Sequence, residues 1–425
     1  MTLLAQLPEL IKESKTLFEE ACVPELSVRE KNGSGGSMLA LCDSVSFAKF
    51  LLSKGLKGKV STIYMDPPFL SGSDYSARLT GPDGRSITHH AYSDKWTNDE
   101  AGYIRMLCSV LWGARELLSD KGTVFLHLDW HFVHYMKVCM DVIFGRDNFI
   151  NEIIWQYKSG GSSKKHFARK HDTILMYGKT QDHYIDVPKE KSYNRGMRPY
   201  RFKGVDEYED ENGWYTLVNM KDVWSIDMVG RTSAERTGYA TQKPEALLDR
   251  IISCSSEKGD ICADLFCGSG TLAACCARSE RRFMACDTGR LAISITKKRL
   301  YDEGALFTYY AGEDEIAGGR IDAKVTETEN GRTIRITGYE PDLSYVDLKD
   351  KDAELLSALS AEEGLSLIES VSIDSSYDGK VHDPEFYRVK GKKDIDLGFE
   401  DDGGGDISMI ITDIFGMESQ LVIKQ

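Results

Sequence analysis

The order of apolar and polar positions divides the chain into three regimes. Up to about residue 301, short unbroken apolar runs alternate with segments of helical period, the pattern of buried parallel strands joined by helices. The runs Thr62–Met65, Thr123–Leu128, Phe149–Tyr157, Asp260–Phe266 and Arg282–Cys286 are rich in β-branched and aromatic residues and are predicted as strands. Helices are predicted over residues 2–22, 43–54, 129–144, 245–256, 272–278 and 289–301. Another opens with Thr97 as N-cap and Glu100 as its capping-box partner, carries Tyr103, Leu107, Leu111 and Leu118, and stops at Lys121-Gly122. Ser71–Asp94 is polar and Gly-rich without a period, so a long mobile loop in the position of a lid is expected.

The second regime, residues 157–222, is polar apart from a strand predicted at Thr173–Tyr177. The third follows about Gly318, where short alternating segments such as Thr333–Thr337, Ser408–Thr412 and Leu421–Ile423 lie between turn signals. The division expected is therefore 1–156, 157–222, 223–317 and a separate, mostly β region over 318–425. A length of 425 residues accommodates such a multidomain chain with a large core.

Charge refines this picture. The net charge of −14 would disfavour a polyanionic partner, but Lys158–Lys203 carries twelve Lys/Arg against four Asp/Glu, a net of +8. Residues 318–425 carry twelve against twenty-four, a net of −12. A basic segment interleaved with Phe167, Tyr177, Tyr184, Tyr193, Tyr200 and Phe202 thus sits inside an acidic protein, as a phosphate-tracking groove would. No apolar run has the length of a membrane span, and Met1–Ala21 lacks a signal-peptide core, so a cytoplasmic protein without a membrane partner is expected. The ten cysteines stop at Cys286, include the adjacent pair Cys275-Cys276 and form no Cys-x-x-Cys, which fits reduced buried thiols.

Two turns carry the candidate chemistry. The strand at Thr62–Met65 runs into Asp66-Pro67-Pro68-Phe69, where the prolines end the ladder and fix a rigid turn. A carboxylate beside a carbonyl gives two acceptors in one place, suited to a planar amino group, and the Phe69 ring suits a stacked base. The second turn is Asp264-Leu265-Phe266-Cys267-Gly268-Ser269-Gly270-Thr271, whose glycines permit close approach of a ligand. Asp287, at the tip of the next strand, stands where a ribose-binding acid is expected. Gly268, Gly270 and Ala273 also satisfy a loose Gly-x-Gly-x-x-Ala pattern, so an NAD-dependent oxidoreductase competes; a P-loop is excluded because no Lys-Ser/Thr follows. Asp264, inside its strand, favours S-adenosylmethionine, as an acceptor for an ammonium group.

The order Asp66-Pro67-Pro68-Phe69, basic segment, Thr241-Gln242-Lys243-Pro244, then Phe266-Cys267-Gly268-Ser269-Gly270-Thr271 resembles that of the β-class DNA amino-methyltransferases. Within that class it is most similar to the modification subunits of type III restriction systems and their stand-alone relatives; Phe144–Ile150 and Trp155 share this likeness, which covers roughly residues 36–301. The resemblance implies a Rossmann-like α/β S-adenosylmethionine-dependent methyltransferase fold with permuted motif order, an inserted target-recognition region and a small C-terminal mostly-β domain. It implies that Asp66 and Pro67 hold a flipped-out base by its amino group, with Pro68 fixing the turn and Phe69 stacking. Lys243, Asp264, Phe266, Gly268, Ser269, Gly270, Thr271 and Asp287 would surround S-adenosylmethionine. Lys158, Lys164, Lys165, Arg169, Lys170, Arg195, Arg198 and Arg201 would engage double-stranded DNA.

The expected activity is methylation of adenine N6 in DNA as part of a restriction-modification system, since cytosine-N4 members usually carry Ser in place of Asp66. The cytosine-N4 reaction and a non-catalytic DNA-binding module are the alternatives, and a homodimer and a restriction subunit are candidate partners. The chain departs from the family at Gly36-Ser37-Met38-Leu39, where Gly-Asp-Asn-Leu is common and supplies an acidic cofactor contact, and at Leu70, where Asn is usual. His127, His131 and His134, with Asp129 among them, straddle a strand end and a helix start; a structural or DNA-facing role is expected there and no metal.

Overall fold

The unbroken apolar runs pair with one another into a single large sheet. A computed structural model of the chain describes residues 2–69, 74–80, 86–93, 99–158, 163–312, 319–329, 331–342, 364–390, 397–401 and 405–424. In chain order the first elements are α1 (Leu3–Glu20), β1 (Ser27–Asn32), β2 (Ser37–Leu41), α2 (Ser44–Ser53), β3 (Val60–Met65), β4 (Asp74–Thr80) and β5 (Ser86–Ser93). There follow α3 (Glu100–Leu117), β6 (Leu118–Leu128), α4 (Val133–Met140), β7 (Phe149–Gln156), β8 (His171–Gly178), β9 (Lys189–Tyr193), β10 (Glu207–Asp210), β11 (Gly213–Asn219) and β12 (Val223–Ser225). Next come α5 (Glu245–Ser255), β13 (Ile261–Asp264), α6 (Thr271–Arg278), β14 (Arg282–Asp287), α7 (Arg290–Asp302) and β15 (Phe307–Ala311). The C-terminal region holds β16 (Arg320–Thr328), β17 (Gly331–Glu340), β18 (Ile368–Tyr377), β19 (Phe386–Val389), β20 (Gly398–Asp401), β21 (Asp406–Asp413) and β22 (Glu418–Ile423).

Ten strands form one sheet in the order β1-β15-β2-β14-β13-β3-β6-β8-β7-β12. From β15 to β6 all neighbours are parallel, and β1 and β8 run antiparallel to theirs. Successive side chains of a strand face opposite ways. Ile63 and Met65 therefore join α1–α4 in one apolar core, while Tyr64 joins α5, α6 and α7 in the other. Helices cover both faces, which is why these strands are apolar on both. From β13 the chain passes through α6 to β14 on one side, and from β3 through α3 to β6 on the other. β3 and β13 are thus the switch point of the sheet, and ligands of such sheets bind beyond the C-terminal ends of the strands there.

Several expectations are corrected. Within the loop expected over Ser71–Asp94, β4 and β5 pair as an antiparallel ribbon; residues 71–73, 81–85 and 94 lie outside the described residues. The cap of α3 is Asp99, whose carboxylate accepts from the Gly102 amide at 2.7 Å; Thr97 lies outside the described residues. The segment 129–144 begins its helix only at Val133, because Asp129 first folds back on the His131 amide (3.0 Å), and it ends in a wide turn over Asp141–Gly145. The basic insert is not one body: β8 lies inside the sheet between β6 and β7, while β9, β10 and β11 form a separate three-stranded sheet.

The C-terminal region packs its own core around Ile334, Val371, Ile373, Met409, Ile411 and Phe415. It is not detached from the rest. Lys297 of α7 lies 2.8 Å from Glu30 of β1 and 2.6 Å from Glu418 of β22. Burial opposes a charge on Lys297, yet the two carboxylates hold its pKa well above the ordinary value. The Tyr301 hydroxyl donates to Glu30 at 2.6 Å, and its ring stacks on Tyr387 at 3.5 Å and 8°. Among the described residues no helix is long and apolar enough to cross a membrane.

Removing the shared cation leaves two buried or half-buried carboxylates facing each other. Lys297→Met is expected to lower stability by about 3–5 kcal/mol, read from the urea midpoint at constant m-value, with Lys297→Arg losing less.

Candidate active site

The first constraint on the site is register. Cys262, Ala263 and Asp264 of β13 lie beside Thr62, Ile63 and Tyr64 of β3, so the two acidic turns leave the sheet side by side. Between them opens a cavity of about 610 Å³. Asp66, Pro67, Pro68 and Phe69 form one wall; Lys243, Asp264, Phe266, Gly268, Ser269, Thr271 and Asp287 form the other. All of these residues were predicted from the sequence, and the fold brings them together.

Gly270 does not line the cavity. It sits behind the wall in a left-handed conformation (φ 71°), where a Cβ would lie 2.6 Å from Cγ2 and Oγ1 of Thr296. Its requirement is the tight turn itself, which the Gly268 carbonyl and Thr296 hydroxyl close at 3.1 Å. Arg299 fixes the same turn from below, donating to the Ser269 carbonyl (3.0 Å), Thr271 Oγ1 (2.9 Å) and Glu245 (2.6 Å). Thr271 Oγ1 in turn donates to the Lys243 carbonyl at 3.2 Å. Lys243 is thereby held against the glycine turn, while Gln242 accepts from the amide and hydroxyl of Thr237, both at 2.9 Å.

From this anchored loop the Lys243 ammonium crosses to pair with Asp66 Oδ2 and lies 5.2 Å from the centre of the Phe69 ring. Asp66 Oδ1 is buried and has no hydrogen-bond partner among the described residues. Tyr103 steadies the turn from α3 by donating to the Pro68 carbonyl at 2.5 Å. On the far wall burial pushes Asp264 up to about 8; the Phe266 amide, at 3.1 Å, works against this, and the charges of Asp66 and Asp287 add to it. Asp287 is also raised by burial, although the Gly268 and Gly289 amides donate to it at 2.9 and 2.8 Å. Cys267 and Cys286 beside them are buried thiols pushed well up by desolvation, hence unreactive.

Sequence reasoning missed part of the wall. Asp43, Tyr64, Tyr239 and Thr288 also line the cavity. Asp43, the N-cap of α2 accepting from Ser46 at 3.0 Å, restores an acid at the end of β2, four residues beyond Leu39. The motif Cys42-Asp43-Ser44 carried that signal, displaced from where it was sought. Tyr64 shares a strand face with Asp66 by simple alternation. His127 is fully buried, its Nε2 3.4 Å from Asp172 and its Nδ1 2.8 Å from the Tyr64 hydroxyl; His131 pairs with Asp129 at 2.6 Å. The histidines thus turn to different carboxylates.

None of the eight basic residues predicted for DNA lines the cavity. Lys158, Lys164, Lys165, Arg169, Arg195, Arg198 and Arg201 are exposed and Lys170 is half-buried. Phe167 (97 % exposed) and Phe202 (63 %) stand out among them, and the Arg169 guanidinium lies 4.0 Å above the ring of Trp130, just past the end of β6. Exposed rings beside cations form a surface that can stack and neutralise at once.

Comparison with known proteins bears on this site. The profile described as DNA methylase, of the N6/N4 type, matches residues 60–298, more than half of the chain. Type II methyltransferase M.EcaI of Enterobacter cloacae is 26% identical over 59% of this chain, which spans 66% of that enzyme. DNA adenine methyltransferase YhdJ of Escherichia coli K12 is 26% identical over 67% of this chain and 88% of its own length. The EcoP15I Mod subunit of a type III restriction-modification enzyme, from Escherichia coli, is 25% identical over 43% of this chain and 29% of that subunit.

The glycine turn gives a structural test. Gly270→Ala is expected to cost about 2 kcal/mol, from the left-handed backbone and the Thr296 contact together. Thermal melts check it, and Thr296→Ala in the same background should recover only the steric part.

Proposed function

The chain belongs to the N6/N4 DNA methylase family, and from that membership we propose that it methylates an exocyclic amino group in double-stranded DNA, adenine N6 before cytosine N4. The methyl donor is S-adenosylmethionine, which when bound supplies an activated methyl group on a sulfonium. The observation that carries the reading is the single cavity in which Asp66-Pro67-Pro68-Phe69 faces the Asp264 glycine turn across adjacent parallel strands.

The residues fit the donor. A bound cation with a free ammonium needs carboxylates, and Asp43, Asp264 and Asp287 supply them along one wall. The donated amides on Asp287 leave it oriented toward the glycine turn, where ribose hydroxyls would be accepted. On the opposite wall Asp66 is an ion-paired carboxylate with one oxygen still lacking a partner. An amino nitrogen conjugated to a ring is a weak nucleophile; acceptors at its N–H bonds stabilise the positive charge that develops on it. Positioning supplies much of the remainder. The Phe69 ring, half-buried and steadied by its Tyr103-anchored turn, would replace the stacking a flipped base loses. The exposed cations and rings of the insert would hold the phosphates and read bases.

Family membership displaces the dinucleotide reading of Gly268 and Gly270. Adenine is favoured over cytosine by the acid at position 66 and by the likeness to an adenine methyltransferase. The likeness to a Mod subunit supports a restriction subunit as partner and a cytoplasmic setting; pairing of two copies is part of the same reading.

DNA methylated by the purified protein, digested and weighed as nucleosides, is expected to contain N6-methyladenine. N4-methylcytosine instead would reassign the base, and neither would refute the reaction. Asp66→Ala should abolish the product and leave S-adenosylmethionine affinity within about twofold. Affinity should also depend on pH through Asp264. The carboxyl is neutral below about 8 in the unliganded protein and must ionise to take an ammonium, so affinity rises from pH 6 toward 8, by at most about tenfold per unit. Calorimetry on Asp264→Asn should show weaker binding with that slope removed.

A further inference from the structure

Behind Asp66, away from the glycine turn, the sheet buries a chain of polar groups that the proposed reaction has not used. Asp66 Oδ1, the oxygen without a hydrogen-bond partner among the described residues, lies 3.7 Å from Nδ1 of His127. His127 sits on β6 with no exposed side-chain surface. Its Nε2 is 3.4 Å from Asp172 of β8, and Asp172 accepts from the Tyr157 hydroxyl at 3.2 Å. Tyr64 of β3 meets Nδ1 at 2.8 Å. The groups that face the imidazole are therefore the titratable Tyr64, Asp66 and Asp172, together with the uncharged rings of Trp155 at 5.3 Å and Phe69 at 5.6 Å. One step further out, Lys243 pairs with Asp66.

These contacts fix the tautomer. An ionised Asp172 only accepts, so Nε2 carries the proton and, in the neutral ring, Nδ1 accepts from Tyr64. Burial works to raise Asp172, but the His127 hydrogen bond, with Lys243 and Tyr157, keeps it below the usual range; burial and the surrounding carboxylates push Tyr64 well up, so it stays a donor. The order carboxylate, imidazole, carboxylate is that of a base held by an orienting acid, the arrangement that activates proton transfer elsewhere.

Resting on the methyltransfer reading, we propose that His127, held by Asp172, is a positioning residue that stores the proton released to Asp66. When the target nitrogen forms its bond to the methyl carbon, the carbon–sulfur pair stays on sulfur and the nitrogen is left with one proton too many. That proton goes to Asp66. Asp66 hands it to Nδ1 of His127 after Tyr64 gives way, and the imidazolium is balanced by Asp172 across Nε2–H. Asp66 is an acceptor again at once, although Lys243 and the product still close the cavity. When product leaves, the Nδ1 proton returns through Asp66 to water. The 3.7 Å gap closes with the substrate in place, as catalytic hydrogen bonds commonly do.

The test is His127→Gln, which keeps an acceptor for Tyr64 and a donor for Asp172 but cannot take a proton. Turnover on DNA is expected to fall by a factor on the order of 10², while S-adenosylmethionine affinity by calorimetry stays within about twofold of wild type. The variant's rate should climb with pH more steeply than wild type between 6 and 9, as solvent base takes the proton instead. In the wild-type protein, nitrogen-15 shifts of the histidine signal that the variant removes should place the resting proton on Nε2. Asp172→Asn, which keeps the hydrogen bonds and loses the charge, should move rate and pH profile in the same direction. Wild-type turnover in His127→Gln, or a slower rate with an unchanged pH profile, overturns the proposal and leaves the methyltransfer reading standing. A wild-type protein that methylates no DNA overturns both.

Discussion

Everything at the site depends on the parallel pairing of β3 with β13. Two strands almost two hundred residues apart in sequence are hydrogen-bonded in a register that sets Tyr64 beside Asp264. Because parallel neighbours end on the same edge of a sheet, their two acidic turns must share one space, and because the connections diverge there, no crossover helix fills it. The Lys243–Asp66 pair then spans that space. It joins an anchored loop before α5 to the turn after β3, so the cavity walls are tied across as well as along the sheet.

The same pairing creates the site's electrostatic character. Asp66, Asp264 and Asp287 converge with Lys243 as the cation between the walls. Such a charge set cannot be fully ionised in a buried place, and the strain appears at Asp264, the member with the least help from donors, which is pushed up to about 8. Asp66 has a cation on one oxygen, and Asp287 has two backbone amides. Each carboxylate has a different compensating partner, and this separates three chemically identical groups into three roles.

Much of this was legible in the sequence, for identifiable reasons. Strands buried on both faces announce themselves by unbroken apolar runs, and Pro-Pro and Gly-x-Gly punctuate them, so β3, β13, β14 and both turns could be placed by inspection. What could not be read was long-range. Nothing local says that β2 inserts between β14 and β15, or that β8, predicted as a strand inside the basic segment, inserts between β6 and β7. Asp43 was missed because its role follows from the end of β2 lying beside β14, not from its neighbours. For His127 the expectation of a structural or DNA-facing role left the partner open, because Tyr64 and Asp172 come to it from the neighbouring strands β3 and β8. For Gly270 the motif told which residue is needed and not that a side chain there would collide with Thr296 behind the turn.

The placement of β1 and β2 has a consequence for how the molecule is made. These strands leave the ribosome before the strands they pair with, since β2 pairs with β14 and β15, and β1 with β15. The sheet therefore cannot be completed until residue 311 has emerged, and Lys297, once paired with Glu30, waits longer still for Glu418. Contacts of such sequence separation slow folding, because chain closure must precede any stabilising contact. During synthesis the apolar segment Met38–Leu41 has no partner strand to cover it. Until β14 and β15 emerge, that apolar segment is open to mispairing, a consequence of the order in which the sheet takes its strands from the chain.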